Sequence, residues 1–133
     1  MPNIDTFTLQ QEFLIVGAAA QIGLFDAVKD KPSTIEELSA STGGDQRALW
    51  IVTEALVALD YLEHEYDKLK LTDEANSIFY DQNSASYTGF SFMHTYNLIS
   101  TWLKLPEVLK TGKPVPFKED PDALKAFITA MSH

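Results

Sequence analysis

The spacing of hydrophobic positions along this chain changes several times, and each change marks an element. From Phe13 to Phe25 the sequence FLIVGAAAQIGLF is apolar on nearly every side. A helix of that kind has to be covered on more than one face. The stretch predicts a first helix, capped by Asp5 or Thr6 and running to about Gln21. Gly23 is expected to break it, with a short second helix over 24–28 and a polar loop over 29–32. Ser33 and Thr34 each stand three residues before a glutamate (Glu36, Glu37), which offers two overlapping capping boxes. Ile35 and Leu38 give the short helix after them one apolar edge, and Gly43-Gly44 ends it. Asp45 is a good N-cap for a longer helix on which Leu49, Val52, Leu56, Leu59 and Leu62 recur at three- and four-residue steps. Beyond Asp60 the pattern becomes two short extended runs, 62–66 and 69–71, about a tight turn at Asp67-Lys68. Thr72 then caps a helix over 73–80 with Ala75, Ile78 and Phe79 inward. Ser86 is predicted to cap a long aromatic helix, YTGFSFMHTYNLISTWLKL. Pro106 opens PEVLKT, which Gly112 ends. After a Pro-bounded loop, Asp120-Pro121 starts a last helix with Leu124, Phe127, Ile128 and Met131 inward.

Helix, turn, helix and hairpin in that order define a mainly α chain built on a winged helix-turn-helix over 30–80, flanked by further helices over 1–29 and 86–133. Its 133 residues suffice for one domain with a real core. With no cysteine, disulfides and thiolate chemistry are excluded. The first residues lack the basic region of a signal peptide, and the longest uncharged apolar run is too short for a bilayer. The reading is a soluble, cytoplasmic protein without a membrane partner.

Charge bears on the winged helix directly. The chain carries a net charge of −9. Within 34–72, eight acids (Glu36, Glu37, Asp45, Glu54, Asp60, Glu63, Glu65, Asp67) stand against Arg47, Lys68 and Lys70, a balance of −5. Nucleic-acid binders need the opposite sign to release phosphate counterions. A DNA-binding transcriptional regulator is therefore the alternative reading, with no nucleic-acid partner expected.

Candidate chemistry is sparse. No Gly-rich phosphate loop follows a strand. His64, His94 and His133 are too scattered to form a ligand set, so no metal site is predicted. Paired acids such as Glu36-Glu37 fall in first helical turns, where they complement the helix dipole. The aromatic segment is richer. His94, Leu98 and Trp102 lie at four-residue steps on one helical face and are candidates for a ligand wall, with ordinary core packing as the competing reading. In the first helix Gly17 and Ala18–Ala20 would let another helix approach closely. Phe13, Val16, Gly17, Ala19, Ala20 and Phe90 are the candidates for a contact with a second copy of the chain.

Several segments, taken in order, resemble one family: IGLFDAV, PSTIEELSASTG, RALWIVTEALVALDYLE, YDKLKLTDEA and STWLKLPEVLKTGKPVPF. Together they are similar to the N-terminal dimerisation domain of class I S-adenosylmethionine-dependent small-molecule O-methyltransferases, over about 13–131. The Gly of the family's A-L-G-L segment is replaced here by Asp60. The resemblance implies a homodimerisation domain that also helps wall a small-molecule methyl acceptor. It implies that S-adenosylmethionine and the catalytic residues belong to a Rossmann-like domain that is absent from these residues. No D-V-G-G-G-x-G segment occurs in them, so no catalytic or cofactor-binding residue is assigned and the chain alone is expected not to be an enzyme. A small-ligand-binding domain using the aromatics of 90–102, without catalysis, is a third reading.

Overall fold

Apolar periodicity and capping chemistry explain most of the element boundaries in the computed structural model, which describes residues 11–114. The order is α1 (Gln11–Gln21), α2 (Leu24–Asp30), α3 (Ile35–Thr42), α4 (Gln46–Ala58), β1 (Leu62–Glu65), β2 (Lys68–Leu71), α5 (Asp73–Phe79), α6 (Met93–Trp102) and α7 (Leu105–Thr111). They fall into two compact units that divide after Phe90. The caps expected at Asp5 or Thr6 and the helix expected after Asp120 lie outside the described residues.

The first unit is a winged helix. Gly23, at φ +82°, turns the chain between α1 and α2 in a conformation that costs glycine nothing. α2 runs two residues further than the expected 24–28, to Asp30. Thr34 caps α3 with a complete capping box: its Oγ1 accepts from the Glu37 N–H at 3.2 Å, and Glu37 Oε1 accepts from the Thr34 N–H at 3.3 Å. That contact, with Lys31 nearby, holds the Glu37 carboxyl below the usual range. The second capping box, from Ser33, does not form. Ser33 is buried and pairs with Leu69, its N–H donating to the Leu69 carbonyl at 2.9 Å and its carbonyl accepting in return at 2.8 Å. The residue before the α3 cap is thereby tied to the wing. Gly43 ends α3 at φ +76°, and the Asp45 carboxylate accepts from the Ala48 N–H to start α4.

The helix-turn-helix encloses the core. Leu24, Phe25, Val28, Leu38, Leu49, Leu56, Leu62, Leu69, Ala75 and Phe79 are all buried. α4 contributes Leu49, Thr53 and Leu56; Thr53 satisfies its buried hydroxyl by donating to the Trp50 carbonyl. Leu62 reaches the core from β1 rather than from the end of α4. An aromatic cluster closes the unit: Phe25 and Phe79 rings lie 5.0 Å apart, and Phe79 and Phe90 stack at 4.8 Å. Two tyrosines at its edge bind carboxylates of earlier helices. Tyr61 Oη donates to Glu12 at 2.8 Å and Tyr80 Oη to Asp26 at 2.6 Å. Partial burial, then the carboxylate, pushes the Tyr61 hydroxyl up to about 12; the same causes raise that of Tyr80.

The wing turns one residue earlier than expected. Glu65 pairs with Lys68, so the loop is Tyr66-Asp67 and not Asp67-Lys68. The register sets the reason: it puts Leu62 and Leu69 inward and Glu63 opposite Lys70, whose Nζ lies 3.3 Å from the carboxylate. Asp60, where the related segment has glycine, adopts φ +68°. The backbone conformation that explains the glycine is kept, with the side chain next most tolerant of it.

The aromatic segment departs most from expectation. Ser86 caps nothing helical; residues 87 and 88 are irregular, 89–92 form turns, and α6 starts at Met93 with no side-chain cap. Gly89 sits at φ +60°, and the N–H groups of Thr88 and Gly89 both donate to the Ile78 carbonyl, at 2.8 and 2.9 Å. The segment is clamped to the end of α5 in a conformation that a right-handed helix cannot continue through. Downstream, Pro106 lies in the first turn of α7, and Gly112 ends it at φ +69°.

Candidate functional site

In the second unit, α6 and α7 carry apolar side chains without burying one of them. His94, Leu98 and Trp102 lie on α6 at helical spacing, as expected. His94 and Leu98 are half-buried, and Trp102 is 65% exposed. Leu103 and Leu109 are exposed to 75% and 76%, and Leu105 is exposed as well. Sequence reasoning did not single out these three leucines. The signal was present: W-L-x-L-x-x-x-L packs four large apolar residues into eight positions, more than short helices can cover by themselves.

The residues expected at a contact between copies sit differently. Val16, Gly17 and Ala19 are buried within the single chain, where α1 packs on α2 and α4. Phe13, Ala20 and Phe90 are half-buried, Phe90 being stacked on Phe79. Of the small residues of α1, Gly17 and Ala19 are covered within the chain, Ala20 is half-buried and Ala18 is exposed. α1 leaves Gln11, Glu12, Ala18 and Gln21 exposed, and Ile22 just beyond its end is exposed as well.

The winged helix presents no nucleic-acid surface of the usual kind. α4 shows Arg47, Trp50 and Ile51 outward. The wing shows Glu63, His64, Glu65, Tyr66 and Asp67. His64 Nε2 lies 2.9 Å from Glu54 Oε1, so it ties the wing to α4. Among the described residues no group of His, Cys, Asp or Glu could hold a metal ion, and no single helix is long and apolar enough to cross a membrane.

The proteins this chain is similar to in sequence and in fold are O-methyltransferases. Tetracenomycin polyketide synthesis 8-O-methyl transferase TcmO of Streptomyces glaucescens is 30% identical over 123 residues, which is 86% of this chain and 36% of TcmO. The structure of an O-methyltransferase family protein from Burkholderia thailandensis matches with a TM-score of 0.69 at 30% identity, over 91% of this chain and 38% of that one. The fold is shared with NcsB1, an O-methyltransferase from neocarzinostatin biosynthesis, at a TM-score of 0.70 and 18% identity, over 97% of this chain and 47% of NcsB1. No family model matches the chain. The chain spans less than half the length of each of these relatives.

Proposed function

We propose that this chain is the homodimerisation domain of an S-adenosylmethionine-dependent small-molecule O-methyltransferase. In this reading it supplies subunit contacts and part of the acceptor wall, and it is not catalytic alone. The observation that carries the reading is the exposed apolar surface of α6 and α7, in a chain similar to O-methyltransferases over part of their length. Large exposed apolar patches mark surfaces that another protein surface or a ligand covers. Leu103, Leu105 and Leu109 in the second unit are then one contact with the second copy, and the outer side of α1 in the first unit is another. His94, Leu98 and Trp102 face the acceptor. Cofactor binding in this class needs a strand leading into a Gly-rich turn so that backbone can approach the ligand; the 133-residue sequence contains no D-V-G-G-G-x-G segment.

Two results are expected. Titrating the chain with S-adenosylmethionine in a calorimeter gives no heat beyond dilution. When the chain is joined to the cofactor-binding region of a relative such as TcmO, methyl transfer is recovered, and His94→Ala or Trp102→Ala raises the acceptor KM more than it lowers kcat or Tm. Saturable cofactor binding by the chain alone, or unaltered KM in folded variants, contradicts the reading. A DNA-binding role is disfavoured by the −5 balance of 34–72 and by the acids at the wing.

A further inference from the structure

The outward face of α4 has no part in that reading. Arg47, Trp50, Ile51, Glu54 and Ala58 lie on one side of the helix, opposite the buried Leu49, Thr53 and Leu56. Trp50 and Ile51 are 57% and 55% exposed, an unusual investment of apolar area at the position where a DNA reader would place polar and basic groups.

The order of residues along this face is self-complementary. A two-fold axis across an antiparallel pair of such helices, passing midway between residues 50 and 51, sets Trp50 against the second copy's Ile51. The same axis sets Arg47 against the second copy's Glu54, and both contacts occur twice. An isologous interface needs just this property, since one patch must fit itself. Glu54 has capacity to take part: its Oε1 already meets His64, and a carboxylate accepts several hydrogen bonds at its two oxygens. Other occupants fit less well. Nucleic acid meets Glu54 and the acidic wing. A uniformly acidic or basic peptide satisfies only one end of the face. The surface that offers a base, two apolar residues and an acid in the required reversed order is the same face on another copy.

We infer that α4 is a self-association surface, packing antiparallel on α4 of a second copy about a two-fold axis between Trp50 and Ile51. It is separate from the α6–α7 contact proposed above. A helix of 13 residues is about 20 Å long, so this contact falls well below the roughly 1,200–2,000 Å² of a stable interface. A contact of that size is a weak one, so it is expected to form only above low micromolar concentration, at roughly tens to hundreds of micromolar, and to join dimers into larger assemblies.

Sedimentation equilibrium of the full chain across that range tests it, with Arg47→Glu, Glu54→Arg, the double exchange and a mixture of the two single variants. Each single variant puts like charges together at both ends of the contact and should weaken the high-concentration step by at least roughly tenfold. The double exchange should restore it. So should the mixture, because one copy then presents two acids where the other presents two bases. Circular dichroism verifies folding. If Glu54→Arg disturbs the wing by displacing His64, Arg47→Glu and Trp50→Gln carry the test, each with the same expected loss. Absence of a high-concentration step in the wild type, single variants that associate like it, or a mixture no better than its components overturns the inference. The α6–α7 reading is judged separately, since Arg47→Glu should leave association at low micromolar concentration intact.

Discussion

Replacing Phe25 with alanine is expected to destabilise the chain by about 3–5 kcal/mol. Phe25 is 1% exposed and lies at the centre of the aromatic cluster, with Phe79 at 5.0 Å, Tyr61 at 6.3 Å and Phe90 at 6.4 Å between ring centroids. Truncation removes the largest fully buried ring and leaves a void between α2, α5 and the 87–90 segment. Those neighbours cannot collapse into it, because the Ile78 carbonyl fixes the backbone of Thr88 and Gly89. A small domain has only about 5–15 kcal/mol of stability in total, so the variant should unfold at far lower urea concentration than the wild type. The same substitution at the exposed Tyr66 should leave the midpoint nearly unchanged. A Phe25→Ala midpoint close to the wild-type value would show that the cluster is not the core.

The second large effect separates packing within the chain from contact between copies. Ala19 is 1% exposed, whereas its neighbour Ala18 is exposed. Ala19→Glu forces an unpaired carboxylate into the seam where α1 packs on α2 and α4, at a cost of several kcal/mol, and should leave the chain unfolded or insoluble. Ala18→Glu adds the same charge on the outer side of the same helix. It should fold with a stability within about 0.5 kcal/mol of the wild type, and its dimer should be weakened, because the outer side of α1 belongs to the proposed contact. Circular dichroism and sedimentation on the two variants check this. A well-folded Ala19→Glu, or an Ala18→Glu chain that dimerises as before, contradicts the assignment of the two sides.

Much of the first unit was legible because its signals are local. Thr34 with Glu37, Asp45 and Thr72 cap helices through hydrogen bonds that span three residues, and Gly23, Gly43 and Gly112 stop helices by adopting positive φ. The misread features depend on partners distant in sequence. The wing register is set by which leucines reach the core, and Ser33 loses its capping role to a bridge with Leu69, 36 residues away in sequence. The predicted start of the aromatic helix at Ser86 fails because Ile78 captures the next turn's N–H groups. At the candidate site, helical spacing placed His94, Leu98 and Trp102 on one face of α6. It could not tell which sides of α1 the chain itself would cover, since FLIVGAAAQIGLF is apolar all round. Only packing distinguishes Ala19, inside, from Ala18, outside.

Sedimentation velocity of the wild-type chain at low micromolar concentration tests the central claim most directly, because the small α4 contact is not populated there. A dimer is expected, and a monomer for Leu103→Gln/Leu109→Gln with unchanged circular dichroism, since both leucines are three-quarters exposed in a single copy. A wild-type chain that sediments as a monomer, or a double variant that remains dimeric, would contradict it.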